Sequence, residues 1–142
     1  MSAEADRPRA QLEGLARFAP VFSAPGHEFA RWHASSRDAS GVVTLGYCAL
    51  GEEASAFQQM AYDLDLVLRF DWMNWAGGEE GCNLLADPSA VETADLDQLR
   101  KLLTVFIRQD RFCEGALAQA FDRGFITAIC RRAAVLLRAM PA

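Results

Sequence analysis

Apolar residues recur along this chain at helical spacing in five places. Leu12, Leu15, Ala16 and Ala19 predict a first helix over about residues 9–18. Pro20 ends it, because a proline disfavours helical backbone in the residue before it. Phe57, Met60, Ala61, Leu64, Val67 and Leu68 share one stripe of a second helix from Ala54 to Arg69, with Glu52 and Glu53 at the positive end of its dipole. The strongest pattern runs from Leu96 to Gln109. Leu96, Leu99, Leu102, Leu103, Phe106 and Ile107 face one way; Asp97, Arg100, Lys101, Thr104 and Arg108 face the other. Asp95 with Gln98 resembles a capping box. Asp110 is the expected cap for a helix from about Phe112 to Arg123, and Gly124 its left-handed stop. A last helix, Phe125 to Met140, buries Ile126, Ile129, Cys130, Ala133, Leu136, Leu137 and Met140.

Between the second helix and the strongest one the pattern is less regular. A helix over Trp72 to Leu85 is weakened by Gly77, Gly78 and Gly81, each costing up to about 1 kcal/mol against alanine. Asp87-Pro88-Ser89 starts a short helical turn, where proline is tolerated. Upstream, Phe29 to Ala34 and Val42 to Cys48 read as strands of a hairpin across the polar cluster from Ser35 to Gly41. Val43, Leu45 and Tyr47 alternate onto one face; Val42, Thr44 and Gly46 take the other. A lone hairpin is marginal in water, so it is expected to rest on helices. The reading is a mostly α fold: a compact domain of five to six helices with one small β-hairpin, a helix-dominated α+β arrangement. It occupies residues 9–140 as a single domain behind a short flexible N-terminus, residues 1–8.

Composition narrows the class. Of the 142 residues 51% are hydrophobic, too many for a disordered chain and enough for a core without staples. No apolar run approaches the roughly 20 residues of a spanning helix. The opening residues lack the basic start and apolar stretch of a signal peptide, so a cytoplasmic protein is expected. Cys48, Cys82, Cys113 and Cys130 are widely spaced and expected to be buried thiols rather than disulfides.

The net charge of −5 hides an asymmetry. Residues 1–99 carry 16 acids against 6 bases, and residues 100–142 carry 3 acids against 8 bases. Residues 52–97 hold eleven acids against the single base Arg69. Outward carboxylates at Asp71, Glu79, Glu80 and Asp87 would steer a positive partner, and Trp72 and Trp75 would anchor it. Those six residues are the candidate partner-binding patch.

Catalytic signals are thin. His27-Glu28 begins like a zinc-protease motif, but the fifth position is Arg31. His33 lies six residues from His27, so no metal site is expected. Cys113, after Arg111 and near a helix start, is the best candidate for a reactive thiol. Gly77 to Gly81 is glycine-rich but carries Glu79 and Glu80, which repel phosphate. Arg123, Arg131, Arg132 and Arg138 make no continuous stripe and lack interleaved aromatics, which argues against nucleic-acid binding.

The run from Leu102 to Leu117, with Phe70-Asp71-Trp72-Met73-Asn74-Trp75 and Pro25-Gly26-His27-Glu28-Phe29 before it and Gly124-Phe125-Ile126 after it, resembles the bacterial and phage domain of unknown function 6508. The resemblance covers roughly residues 10–138. It implies a compact domain and brings no activity and no catalytic residues. Its most specific part is Asp110-Arg111-Phe112 with Gly115. At a helix–helix corner Arg108, Asp110 and Arg111 are expected to cap and pair, Gly115 to allow close helix approach, and Phe112 to plug the core. A buried Phe112 would make Phe112→Ala cost about 3–5 kcal/mol.

The functional expectation is a non-enzymatic protein-interaction or regulatory domain with no cofactor. Its partner would be a basic protein, with no direct contact to nucleic acid or membrane; a homo-oligomer is compatible with the sequence. A narrower version is a phage-type inhibitor, an anti-defence protein whose acidic face covers a basic nucleic-acid-binding surface. From another class, the alternative is an enzyme with an unfamiliar site around Trp72, Trp75, Arg108, Asp110 and Arg111.

Overall fold

The computed structural model describes residues 3–141. Met1 and Ser2, the start of the expected flexible lead-in, lie outside the described residues. The fold is mostly α, a helix-dominated α+β arrangement. Among the described residues the helices are α1 (Ala3–Ala16), α2 (Ala19–Phe22), α3 (Glu52–Asp63), α4 (Trp72–Gly77), α5 (Glu79–Leu85), α6 (Leu96–Asp110), α7 (Ala116–Asp122) and α8 (Phe125–Ala139), with a 3-10 turn at Pro88–Thr93. One short helix, α2, was not expected, and one expected helix is split. Pro20 sits in the first turn of α2, so it starts a helix as well as closing the region of α1. Gly78 is extended (φ −85°, ψ 178°) and divides α4 from α5. Gly81 then packs under Trp75, where a Cβ would lie 2.1 Å from the Trp75 carbonyl oxygen.

The second helix ends six residues before the expected Arg69. Asp65 adopts φ 56°. Its amide donates to Tyr62 O at 3.2 Å and that of Leu66 to Ala61 O at 2.8 Å. This pair closes a left-handed helix end, and aspartate tolerates that conformation better than most side chains. The buried Gln11 side chain donates to Leu64 O at 2.8 Å, satisfying another terminal carbonyl. The turn drops Leu66 into the core, a position the uninterrupted helical stripe had not included.

α6 keeps its expected cap in full. Asp95 Oδ1 accepts from Gln98 N at 2.8 Å, and Gln98 Oε1 accepts from Asp95 N at 2.9 Å. Leu99, Leu102, Leu103, Phe106 and Ile107 are buried as expected. Thr104, expected on the polar face, is also buried; α6 is covered on two sides. α8 packs against α1, α2, α6, α7 and the 3-10 turn. Phe18, Phe22, Phe57 and Phe121 meet between these helices with ring centroids 5.2–5.9 Å apart.

The hairpin runs antiparallel in two short ladders. β1 (Ala30–His33) pairs with β4 (Tyr47–Leu50), and β2 (Ser36–Arg37) with β3 (Val43–Thr44). Asp38 Oδ1 accepts from the amides of Ser40 and Val42 and closes the turn. The hairpin rests on helices only near its base. Val42, Val43, Leu45 and Tyr47 are exposed, Leu45 at 77%, so the predicted apolar face is solvated. The side chain of Thr44, expected on the opposite face, lies outside the described residues.

Candidate functional site

The structure gives the six residues of the predicted patch different surroundings. Asp71 caps α4, its carboxylate accepting from Asn74 N at 3.2 Å. Trp75 turns against Phe70, with centroids 6.2 Å apart, and its indole N–H donates to Glu80 Oε1 at 2.8 Å. Glu80 is also 3.7 Å from Lys101 Nζ, which pairs with Asp97 at 3.2 Å. The hydrogen bond that Lys101 donates to Asp97 is the main reason its ammonium titrates above its ordinary range. Asp87 accepts from the Ser89 hydroxyl and amide, which holds its carboxyl below the usual range. Glu79 is exposed in the first turn of α5. The tryptophans therefore separate: Trp75 is committed to Glu80, while Trp72 turns toward the end of α6.

There Trp72 meets the motif residues. A recess of about 340 Å³ is lined by Arg69, Phe70, Trp72, Arg108, Arg111 and Phe112, with Leu68 at its wall. Local hydrogen bonding builds it. Leu68 N donates to Thr104 Oγ1 at 2.8 Å, and the Thr104 hydroxyl donates to Arg100 O at 2.8 Å. This pins the segment after α3 to α6 one turn before Arg108. At the end of α6 the amides of Phe112 and Cys113 both donate to Gln109 O, at 3.0 and 2.9 Å. Asp110 Oδ1 reaches across the turn to accept from Leu117 N at 3.1 Å. Asp110 thus caps a helix as expected, but α7 starts at Ala116, four residues later than the pattern suggested.

The tight turn throws Phe112 outward. Its ring is 78% exposed and lies 6.3 Å from the Trp72 ring at 33°. The expectation that Phe112 plugs the core is therefore corrected: its backbone is spent on the turn, and Leu117 takes the buried place. Gly115 is corrected too. It sits at φ 89° beneath the Trp32 side chain, so the element that approaches it is the hairpin rather than a helix. The amide of Cys48 in the hairpin donates to Glu114 Oε1 at 2.7 Å beside it.

Three guanidinium groups share the recess, and among the described residues none of them is in an ion pair. Arg111 Nη2 donates weakly to Tyr62 Oη at 3.4 Å. Fixed positive charge lies beside the exposed Phe112 ring and the half-buried Phe70 and Trp72. No lining residue can exchange a proton near neutral pH, since arginine stays charged and the other side chains are Leu, Phe and Trp. Nor does a nucleophile line it. Asp110, the one acid of the motif, points to Leu117.

The remaining candidates stand apart. His33 stacks on Tyr47 at 4.4 Å, and His27 packs edge-on against Phe29 at 4.9 Å with Nε2 buried and without a partner among the described residues. Among those residues no three His, Cys, Asp or Glu side chains converge as for a metal ion. The four cysteines are free, but only Cys130 is buried; Cys48 is half-buried, and Cys82 and Cys113 are exposed, contrary to the buried-thiol expectation. Burial, then the charges of Asp110, Glu114 and Asp122, pushes the Cys48 thiol up. No helix among the described residues is long and apolar enough to cross a membrane.

Sequence reasoning missed the association of Arg69 with Arg108 and Arg111. Their sequence separation hides it, and only the early end of α3 brings Arg69 round. A model of the family described as Family of unknown function (DUF6508) matches residues 7–139. Neither the curated proteins nor the solved structures contain a match.

Proposed function

Since the chain belongs to the DUF6508 family, a family of unknown function, we propose that it is a non-enzymatic protein-interaction domain that grips an acidic segment of a partner protein. The observation that carries this is Phe112, held out at 78% exposure beside Trp72 among three guanidinium groups that form no ion pair among the described residues. Aromatic rings and arginines dominate interface hot spots because they combine a large contact area with directional hydrogen bonding. A recess without a proton-exchanging group or a nucleophile suits binding better than turnover.

Charge complementarity shifts the expected partner from basic to acidic. A short segment with one bulky apolar side chain and flanking carboxylates matches a recess of about 340 Å³. An extended nucleic-acid backbone would run past it onto the surface of a chain of net charge −5, where Asp71, next to the lining residues Phe70 and Trp72, is exposed. The free thiols suit a reducing, cytoplasmic setting.

Selection from a random peptide display library tests the reading. Enriched peptides should be acidic with an aromatic or large aliphatic residue, and enrichment should vanish with Phe112→Ala and with Arg111→Glu. Enrichment of basic peptides, or of peptides indifferent to both substitutions, overturns it.

A further inference from the structure

A second, larger recess lies away from the motif corner, between α2, the 3-10 turn and α8, with a volume of about 570 Å³. That is within the range of small-molecule sites, which run from about 300 to 1,000 Å³. Phe22, Phe29 and Phe121 form an aromatic base; Phe29 and Phe121 stack at 5.2 Å, and Phe22 meets Phe121 edge-on at 5.2 Å. Thr127, Arg131 and Val135, spaced by four along α8, form one wall.

The polar lining is unusual in its balance. Arg131 and Arg132 face the recess together with Glu92 and Asp122, and among the described residues none of the four is in an ion pair. Both arginines are anchored by Nε alone: Arg131 to Ser23 Oγ at 3.1 Å, Arg132 to Ala94 O at 2.7 Å. Among the described residues their terminal nitrogens hold no hydrogen bond, so two oriented donor pairs are free. A simple anion would meet the two carboxylates, and a simple cation the two guanidinium groups. A molecule carrying both signs beside a large apolar group meets neither penalty.

We propose that this recess binds an amphipathic zwitterion, a free α-amino acid with a large apolar side chain, with the side chain on the phenylalanine base, the carboxylate at Arg131 and the ammonium toward Glu92 or Asp122. The site is independent of the motif corner and of the partner proposed for it.

Isothermal titration calorimetry on the full chain with L-phenylalanine, L-tryptophan and L-leucine tests this, with 3-phenylpropionate, phenethylamine and glycine as partial ligands. At least one of the three amino acids should bind saturably. The two singly charged analogues should bind at least about tenfold more weakly, the effect of one lost charged contact, and glycine not at all. Arg131→Gln, on an exposed side chain, should weaken the amino acid about tenfold and leave phenethylamine unchanged. Ala128→Trp, checked for a native circular dichroism spectrum, should fill the recess and abolish binding. No saturable binding at millimolar concentration overturns the proposal, as does 3-phenylpropionate binding as tightly as phenylalanine. Binding that survives Arg131→Gln undiminished overturns it as well.

Discussion

The Trp32 ring lies across Gly115 so closely that a Cβ there would sit 2.3 Å from Trp32 Cζ2. One glycine in the turn before α7 thereby docks the base of the hairpin on the motif corner, assisted by the bond from Cys48 N to Glu114. The position is doubly restricted, since φ 89° is also a backbone conformation that side chains disfavour.

Gly115→Ala should therefore cost about 1–2 kcal/mol of stability from backbone strain alone. It should also release the hairpin, seen as faster hydrogen exchange at the β1 and β4 amides than in α6. Unchanged exchange at Trp32 and Cys48 would show that the contact holds nothing in place.

Thr104→Val keeps the shape and removes the only acceptor that Leu68 N has among the described residues. Leaving that amide without a partner should cost about 1–3 kcal/mol in urea denaturation. Because the same bond sets the wall of the aromatic–arginine recess, selected acidic peptides should bind this variant more weakly. A stability loss with peptide affinity intact would separate the two roles.

For Phe112→Ala the structure reverses the expectation from sequence. An exposed ring leaves little to lose, so thermal stability should stay within about 0.5 kcal/mol of wild type. The Trp72 emission should change, because its neighbouring ring is gone. A loss of several kcal/mol would mean that Phe112 is packed after all.

Thiol labelling should follow burial and charge. Cys82 and Cys113 are exposed and should react first with iodoacetamide. Cys48 should lag: burial and the carboxylates of Asp110, Glu114 and Asp122 raise its pKa, and a raised thiol pKa lowers the thiolate fraction at every pH below it. Its rate should climb only above the ordinary thiol range of pH. Cys130, whose thiol burial pushes up much further, should label only on unfolding. Early labelling of Cys48 at neutral pH would contradict this ordering.

The elements read best from sequence are those whose information is local. The α6 helix and the Asp95–Gln98 capping box need only a period and a spacing of three, and both are present. Gly124 acts through its own backbone, so a helix stop was legible; the glycines near residue 78 marked a weak helix, and the structure breaks it at Gly78. The motif corner could be located but not interpreted, since periodicity ranks Phe112 by its type and not by where a turn sends it.

What tertiary structure alone decided is which side chains share a surface. The left-handed Asp65 ended α3 early and carried Arg69 and Phe70 round to Arg108, Arg111 and Phe112, residues some forty positions away. The hydroxyl of Thr104, read as surface, became the pin for that connection. Glu80 met Trp75 and Lys101, and Asp71 and Asp87 became helix caps, contacts that the count of acids along the chain does not contain. Local propensities depend on neighbours within one or two turns of chain, whereas burial and charge pairing depend on which distant segments are packed together, and a linear pattern does not contain that.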